Sequence, residues 1–353
     1  MSDLSTPRAD GFSMPPEWVP HQGCIMAWPT RHSFWAELFE QAKSDYAETA
    51  RAIAAFEHVI MICCHDDARD VRDRCGSYVE VVEIEIDDSW TRDSGPIFVT
   101  NDRGELAVVN FEFNSWGGKY RPYDRDAALA RAFADVFGVR CYDAPIVLEG
   151  GAFFVDGEGT LLTTELPILD PNRNPNLTKE LFEVAASDYL GVEKVVWLTA
   201  YPDRDTDGHV DGIAQYVRPG TLLLLTPDDP QDENFTYATE NVRRLTGATD
   251  AHDRPIEVLP FGVTGTGTAG STAVGIAYLN CYLANSAVIV PMVGAPSDEE
   301  ALGRLREVFP DRDVVGVPGA TLSYGGGGPH CITQQIPIGT AKPSPLGVAE
   351  TPL

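Results

Sequence analysis

The sequence predicts a single α/β domain built from a repeated supersecondary unit, and three observations carry that reading. Apolar runs of strand length alternate with five amphipathic stretches at helical spacing, with no long linker or low-complexity break between them. Polar clusters at 87–93, 149–151 and 207–211 recur roughly 60 positions apart, as a repeated unit delivering one loop each to a shared axis would place them. A chain of 353 residues with 43% hydrophobic content is also long and apolar enough for a full core.

The elements follow in order. Residues 1–12 read as a flexible lead-in, and 13–353 as the domain. A buried strand runs through Cys24-Ile25-Met26-Ala27 and stops at Pro29. Ser33 is placed to cap a helix whose apolar positions Phe34, Leu38, Ala42, Tyr46, Ala50 and Ile53 share one face. Strands are expected at 59–64, 81–86 and 107–113. Asp126 is the expected cap of a second helix, closed by Gly138. Strands around Ile146 and at 160–164 flank a Glu149-Gly150-Gly151 turn, and Thr178 opens a third helix that ends at Gly191. Further strands fall at 195–199, 222–225, 256–260, 277–283, 287–291 and 314–317. A fourth helix covers 233–245, and Ser297-Asp298-Glu299-Glu300 reads as a capping box opening the fifth.

Composition narrows the function. With 26 Lys+Arg against 53 Asp+Glu the net charge is −27. Such a charge opposes phosphate, so neither nucleic acid nor an anionic membrane is an expected partner. A cationic small molecule is compatible, although a solubilising acidic surface accounts for the charge equally well. The seven cysteines are scattered, with no C-x-x-C pair or Cys/His ligand spacing, so neither a metal site nor a disulfide framework is indicated. Residues 1–14 lack a secretory apolar run and no apolar stretch approaches ~18 residues, which predicts a cytoplasmic protein. The sequence leaves homo-oligomer formation open.

One stretch reads as chemistry: Tyr324-Gly325-Gly326-Gly327-Gly328-Pro329-His330-Cys331. Glycines let backbone approach a ligand closely, and a cysteine at the end of such a run is suited to deliver a sulfur nucleophile. A thiolate needs a base or cation nearby, and Asp207-Gly208-His209-Val210-Asp211 offers one. Carboxylates come from the 87–93 and 148–151 segments. The four segments are expected to converge on one pocket around Cys331.

The motifs have a family likeness. Met14-Pro15-x-Glu17-Trp18, Asp88-Ser89-Trp90-x-Arg92-Asp93, Asn114-x-Trp116-Gly117-Gly118-Lys119-Tyr120, Glu149-Gly150-Gly151, Gly208-His209-Val210-Asp211, Tyr278-x-Asn280 and the Cys331 loop resemble, in this order, the agmatine deiminases and bacterial-type peptidylarginine deiminases of the pentein superfamily. The resemblance implies a five-fold pseudo-symmetric α/β propeller of ββαβ units. It further implies hydrolysis of a guanidine C–N bond, without cofactor, through a covalent thiouronium. In that reading Cys331 is the nucleophile, His209 the general acid and base, and Glu149 the residue that orients His209. Asp93 and Asp211 clamp the guanidinium. Trp90 either stacks on the substrate or packs in the core. Asp205 lies either at the substrate's far end or in solvent. A small cationic guanidine, agmatine first, is the expected partner; another arginine-derived guanidine, amidino transfer, or binding without turnover are the alternatives. Arg204, Gly212, Gly328, Pro329 and Cys281 depart from the usual pattern, where the substrate's distal end would be recognised.

Overall fold

A computed structural model describes residues 5–341. The strand Thr160–Thr164 shows how the chain is put together. It pairs antiparallel with Phe153–Val155 and parallel with Lys194–Leu198. A parallel neighbour cannot be reached by a tight turn, so the chain crosses back through the helix Lys179–Leu190. That helix begins as the sequence expects, with the Thr178 hydroxyl accepting from the Leu181 N–H, and it ends at Gly191.

The same pattern recurs. Thr221–Leu225 is flanked by antiparallel Ala214–Arg218 and parallel Glu257–Phe261, with the helix Phe235–Leu245 between. Ala287–Met292 lies between Tyr282–Ala284 and Asp313–Pro318, crossed by Pro296–Val308. Glu105–Glu112 lies between Ile97–Asn101 and Arg140–Val147, crossed by Leu129–Phe137. The remaining sheet joins both ends of the chain. Gln334–Pro337 pairs antiparallel with His21–Ala27, which pairs parallel with Val59–Cys63 across the helix Phe39–Ala54. The middle strands of these sheets are buried almost throughout, as continuous apolar runs covered on both faces require.

Each of these five sheets has a short leading strand with a polar residue just before it; a sixth sheet, Gly265–Ala269 paired with Thr272–Ile276, lies apart from this pattern. Asp93 precedes Ile97–Asn101, Glu149 precedes Phe153–Val155, His209 and Asp211 precede Ala214–Arg218, Asn280 precedes Tyr282–Ala284, and Cys331 precedes Gln334–Pro337. Besides the three polar clusters read from the sequence, Asn280 and Cys331 also stand just before a leading strand.

Several elements differ from expectation. The first helix is interrupted: His32–Trp35 and a 3-10 turn at Ala36–Leu38 come before Phe39–Ala54, and Ala36 adopts φ 46. Asp126 caps no helix; its carboxylate accepts from the backbone N–H groups of Asp87 and Asp88 and so fixes the loop that carries Trp90 and Asp93. Asp298, rather than Ser297, closes the start of the last long helix, accepting from the N–H of Gly294 at 2.7 Å. The expected strand at 277–283 shortens to Tyr282–Ala284, and the residues before it form the turn that carries Asn280. A helix at Ala68–Cys75 went unexpected because its sequence is mostly charged; only Ala68, Val71 and Cys75 are buried. Of the lead-in, residues 1–4 lie outside the described residues. Residues 8–13 carry a 3-10 turn and a strand paired with Ile97–Asn101, with Phe12 buried in the core. Among the described residues no helix is long and apolar enough to cross a membrane.

Candidate active site

The glycine run folds after the short helix Ala320–Tyr324 and lies on two stacked indoles, Trp35 and Trp90, whose centroids are 5.8 Å apart. There is no room for side chains in it. A Cβ on Gly325 would come within 2.6 Å of Trp35, and one on Gly327 within 2.7 Å of Trp90 and 3.0 Å of the Cys331 sulfur. This close seating delivers Cys331, buried, to the junction of two cavities. The smaller is walled by Trp90, Asp93, Trp116, Tyr120, Asp205 and Cys331. The wider cleft reaches Cys331 past His209, Asp211 and Asn280. Among the described residues neither cavity is lined by Lys or Arg, so carboxylates and aromatic rings meet an occupant without a competing cation.

Around the sulfur, Asn280 Nδ2 donates to Sγ at 3.1 Å, and Asp211 Oδ2 lies 3.5 Å away. Burial first, then the charges of Asp211 and Asp93, push the Cys331 thiol well above its ordinary value. Asp93 is held by two donors, the Trp116 indole N–H at 2.9 Å on Oδ2 and the Gly151 N–H at 3.0 Å on Oδ1. Burial raises its pKa, and the charges of Asp211 and Glu149 act in the same direction against His209. Burial would also raise Asp211, but its hydrogen bond to His330 at 2.8 Å and the charge there hold it below the usual range.

His209 is buried with both ring nitrogens free of hydrogen bonds. Nδ1 faces Asp93 at 3.7 Å and Nε2 faces Glu149 at 3.6 Å, distances of ionic contact. Burial disfavours the imidazolium, but Asp93 and Glu149 outweigh it and raise the His209 pKa. Glu149 is in turn fixed by Arg173, whose Nε donates at 2.7 Å and whose guanidinium also binds Asp170 and Asp207. Despite burial, His209 and Arg173 keep Glu149 ionised to lower pH than usual.

Gly151 gives the sharpest measure of convergence. A Cβ there would lie 2.7 Å from His209 Nδ1 and 2.9 Å from both Asp211 Oδ2 and Asp93 Oδ1. Three ionisable groups from two loops, Asp93 on one and His209 with Asp211 on the other, therefore meet around a backbone atom of a third. Gly151→Ala should retain the fold while lowering kcat/KM at least about 100-fold, because sub-ångström misplacement of reacting groups is that costly. Steady-state kinetics beside a thermal melt would check it; activity within threefold of the parent would contradict this geometry.

Residues 13–337 match the Porphyromonas-type peptidyl-arginine deiminases. The chain belongs to that family. Membership makes it a hydrolase acting on carbon–nitrogen bonds. Among curated members, the agmatine deiminase of Pseudomonas syringae pv. tomato is 41% identical over 364 residues, spanning 94% of this chain and 97% of its own. The solved agmatine deiminase of Enterococcus faecalis superposes with a TM-score of 0.92 at 35% identity, covering 95% of this chain and 98% of that one. A dimethylarginine dimethylaminohydrolase at 13% identity and TM-score 0.51 shares the α/β pentein fold alone.

The deiminase family member thus brings together every residue singled out in the sequence: Cys331, His209, Glu149, Asp93 and Asp211 at the centre, with Trp90 and Asp205 on the cavity wall. Trp90 packs on Trp35 and also lines the smaller cavity. Asp205 accepts from the Tyr120 hydroxyl at 3.2 Å, and Lys119 Nζ ties down its loop through the carbonyls of Arg204 and Asp205. Arg204 itself is exposed and lines neither cavity, while Gly212 borders the wide cleft. Gly328 packs against Asn280, and Cys281 is a core residue. The sequence assigns no role to Asn280, Trp116 or Arg173, although Asn280 and Trp116 lie in the Tyr278-x-Asn280 and Asn114-x-Trp116 motifs.

Proposed function

We propose that this protein hydrolyses agmatine to N-carbamoylputrescine and ammonia. The single observation that carries the reading is the approach of His209, Asp93 and Asp211 to one point beside the Cys331 sulfur, in cavities without Lys or Arg. A guanidinium is planar and cationic at any ordinary pH, and charge-assisted bonds from two carboxylates on different loops would hold it by opposite edges. Asp93 and Asp211 fill that role. The charge of the bound guanidinium offsets the carboxylates facing Cys331, its thiol releases its proton to solvent, and the thiolate attacks the guanidinium carbon to give a tetrahedral adduct. His209, in the imidazolium form that Asp93 and Glu149 favour, donates its proton to the departing ammonia. The thiouronium left on sulfur is hydrolysed by a water that neutral His209 deprotonates, and the C–S bond then breaks. Glu149, fixed by Arg173, orients His209. Trp90 stacks against the bound cation, and Asp205 faces the distal amine.

The repeated sheets support a closed five-fold propeller in which each unit contributes its leading loop to a central site, all within one catalytic domain. Tail specificity is the finer part. Arg204, which replaces an acid of the usual pattern, points to solvent, so the structure offers an anionic tail no partner there.

Incubation with agmatine, with ammonia and N-carbamoylputrescine both measured, tests the proposal. Equimolar appearance of the two is expected. An amidino product that forms only when an acceptor amine is added would replace hydrolysis by transfer. Ligand-dependent stabilisation without any product would leave a binding protein.

A further inference from the structure

Beside the nucleophile the mechanism leaves one buried histidine unused. His330, next to the nucleophile, is fully enclosed, and its two ring nitrogens point at two carboxylates: Nδ1 at Asp211 Oδ2, 2.8 Å, and Nε2 at Glu17 Oε2, 3.0 Å. Glu17 is itself buried and accepts from the Leu283 N–H at 2.8 Å on its other oxygen. An ionised carboxylate only accepts, and a neutral imidazole has a single N–H, so two such bonds at once require the imidazolium. The same Asp211 oxygen that receives Nδ1 lies 3.5 Å from the Cys331 sulfur.

We propose that Glu17 and His330 are positioning residues: Glu17 keeps His330 doubly protonated, and His330 in turn fixes Asp211, ionised, at the nucleophile. This deepens the hydrolase reading above and rests on it. Without its second proton His330 would turn a lone pair toward one of its two carboxylates. Asp211 would then have to rotate away or take up a proton, and in either case the guanidinium loses one arm of its clamp. The charged groups facing His330 are Glu17 and Asp211, which favour the imidazolium, and Arg92, which opposes it and whose Nε donates to the His330 carbonyl at 3.2 Å. Phe154 covers the ring at 5.1 Å and excludes water. Burial holds the imidazolium back, and the two acids more than offset burial and Arg92 together, leaving the pKa of His330 raised.

The sign of the pH effect follows. A group with a raised pKa keeps its proton until the pH climbs past that value, so the arrangement fails on the alkaline side. Removing the Glu17 charge lowers the point of failure. Agmatine kcat/KM measured from acid to alkaline pH on the parent, Glu17→Gln, Glu17→Asp and His330→Gln tests this. The Glu17→Gln deficit should grow about tenfold per pH unit above the new imidazolium pKa and shrink toward acid. Glu17→Asp should recover part of the loss, and His330→Gln, which has nothing to titrate, should show a deficit that does not vary with pH. A Glu17→Gln deficit that is equal at every pH, or no better with Asp, overturns the proposal, because a merely structural role would give that result. Should Glu17→Gln fail to fold, Glu17→Asp replaces it; its smaller deficit must still be confined to the alkaline side, and a flat or absent one overturns the proposal. A parent without guanidine turnover would sink the hydrolase reading instead. Iodoacetamide alkylation of Cys331 then carries this test. An Asp211 that has rotated away or taken up a proton no longer opposes the thiolate, so the Glu17→Gln alkylation rate must run increasingly ahead of the parent's as pH rises past the new imidazolium pKa, and a constant ratio overturns the proposal.

Discussion

Cys331→Ala should lower guanidine hydrolysis on the order of 10⁴-fold or more while leaving guanidine binding in place. Removal of a covalent nucleophile takes away the step itself, and losses of that order are usual for it. Binding depends on other atoms: Asp93 is held by Trp116 and Gly151, and Asp211 by His330. Agmatine at 100 times its Kd should therefore still stabilise the variant by about 2.7 kcal/mol. Residual turnover within tenfold of the parent would remove Cys331 from the chemistry. Loss of ligand-dependent stabilisation would mean that the sulfur, rather than the carboxylates, secures the cation. Truncation at this position also removes a buried sulfur that lies 3.5 Å from the Asp211 carboxylate. A rise in thermal stability accompanied by loss of activity would fit a site arranged for reaction at some cost to packing.

The readability of this site in the sequence has a physical basis. Cys331, His209, Asp93, Asp211 and Glu149 each sit in a short polar run between strand and strand or helix and strand, where a buried-core explanation is strained and glycine marks close approach. Asn280 escaped a role because its segment, Tyr278-Leu279-Asn280-Cys281, is apolar enough to pass for the strand expected at 277–283. Only the fold reveals it as the counterpart of the other four loops. Trp116 and Arg173 were hidden for another reason. Each acts through a partner far away in sequence, Asp93 and Glu149 respectively, and no local spacing encodes a hydrogen bond across tens of residues. The misplaced cap at Asp126 is the same error in reverse. A helix-cap residue by type, it spends its carboxylate on the backbone of residues 87 and 88, a tertiary contact that overrides the local preference. The interruption at Ala36 likewise has no local signal, since six apolar positions at helical spacing, from Phe34 to Ile53, run through it.

Asp93→Asn should push two measurements in opposite directions. Turnover should fall by roughly 10³-fold in kcat/KM, since truncating one member of a buried, charge-assisted contact costs about 2–5 kcal/mol. Alkylation of Cys331 by iodoacetamide in the absence of substrate should become faster. In the free protein the thiol is buried and faces the charges of Asp211 and Asp93, both of which hold it neutral. A proton is retained more tightly beside a negative charge, so deleting one charge lowers the thiol pKa and raises the thiolate fraction at neutral pH. The same deletion removes the charge that contributes most to raising the His209 pKa. His209 should then lose its proton at lower pH, and the alkaline limb of kcat should move toward neutrality. A guanidinium bound between Asp93 and Asp211 does reversibly what the substitution does permanently: it cancels the charges that suppress the thiolate. The nucleophile would be armed by its own substrate and stay inert toward other electrophiles until then. Equal alkylation rates in parent and Asp93→Asn would show that the two carboxylates do not govern the sulfur. In that event the thiolate would have to arise from a group other than those facing it, and substrate-triggered ionisation would be excluded.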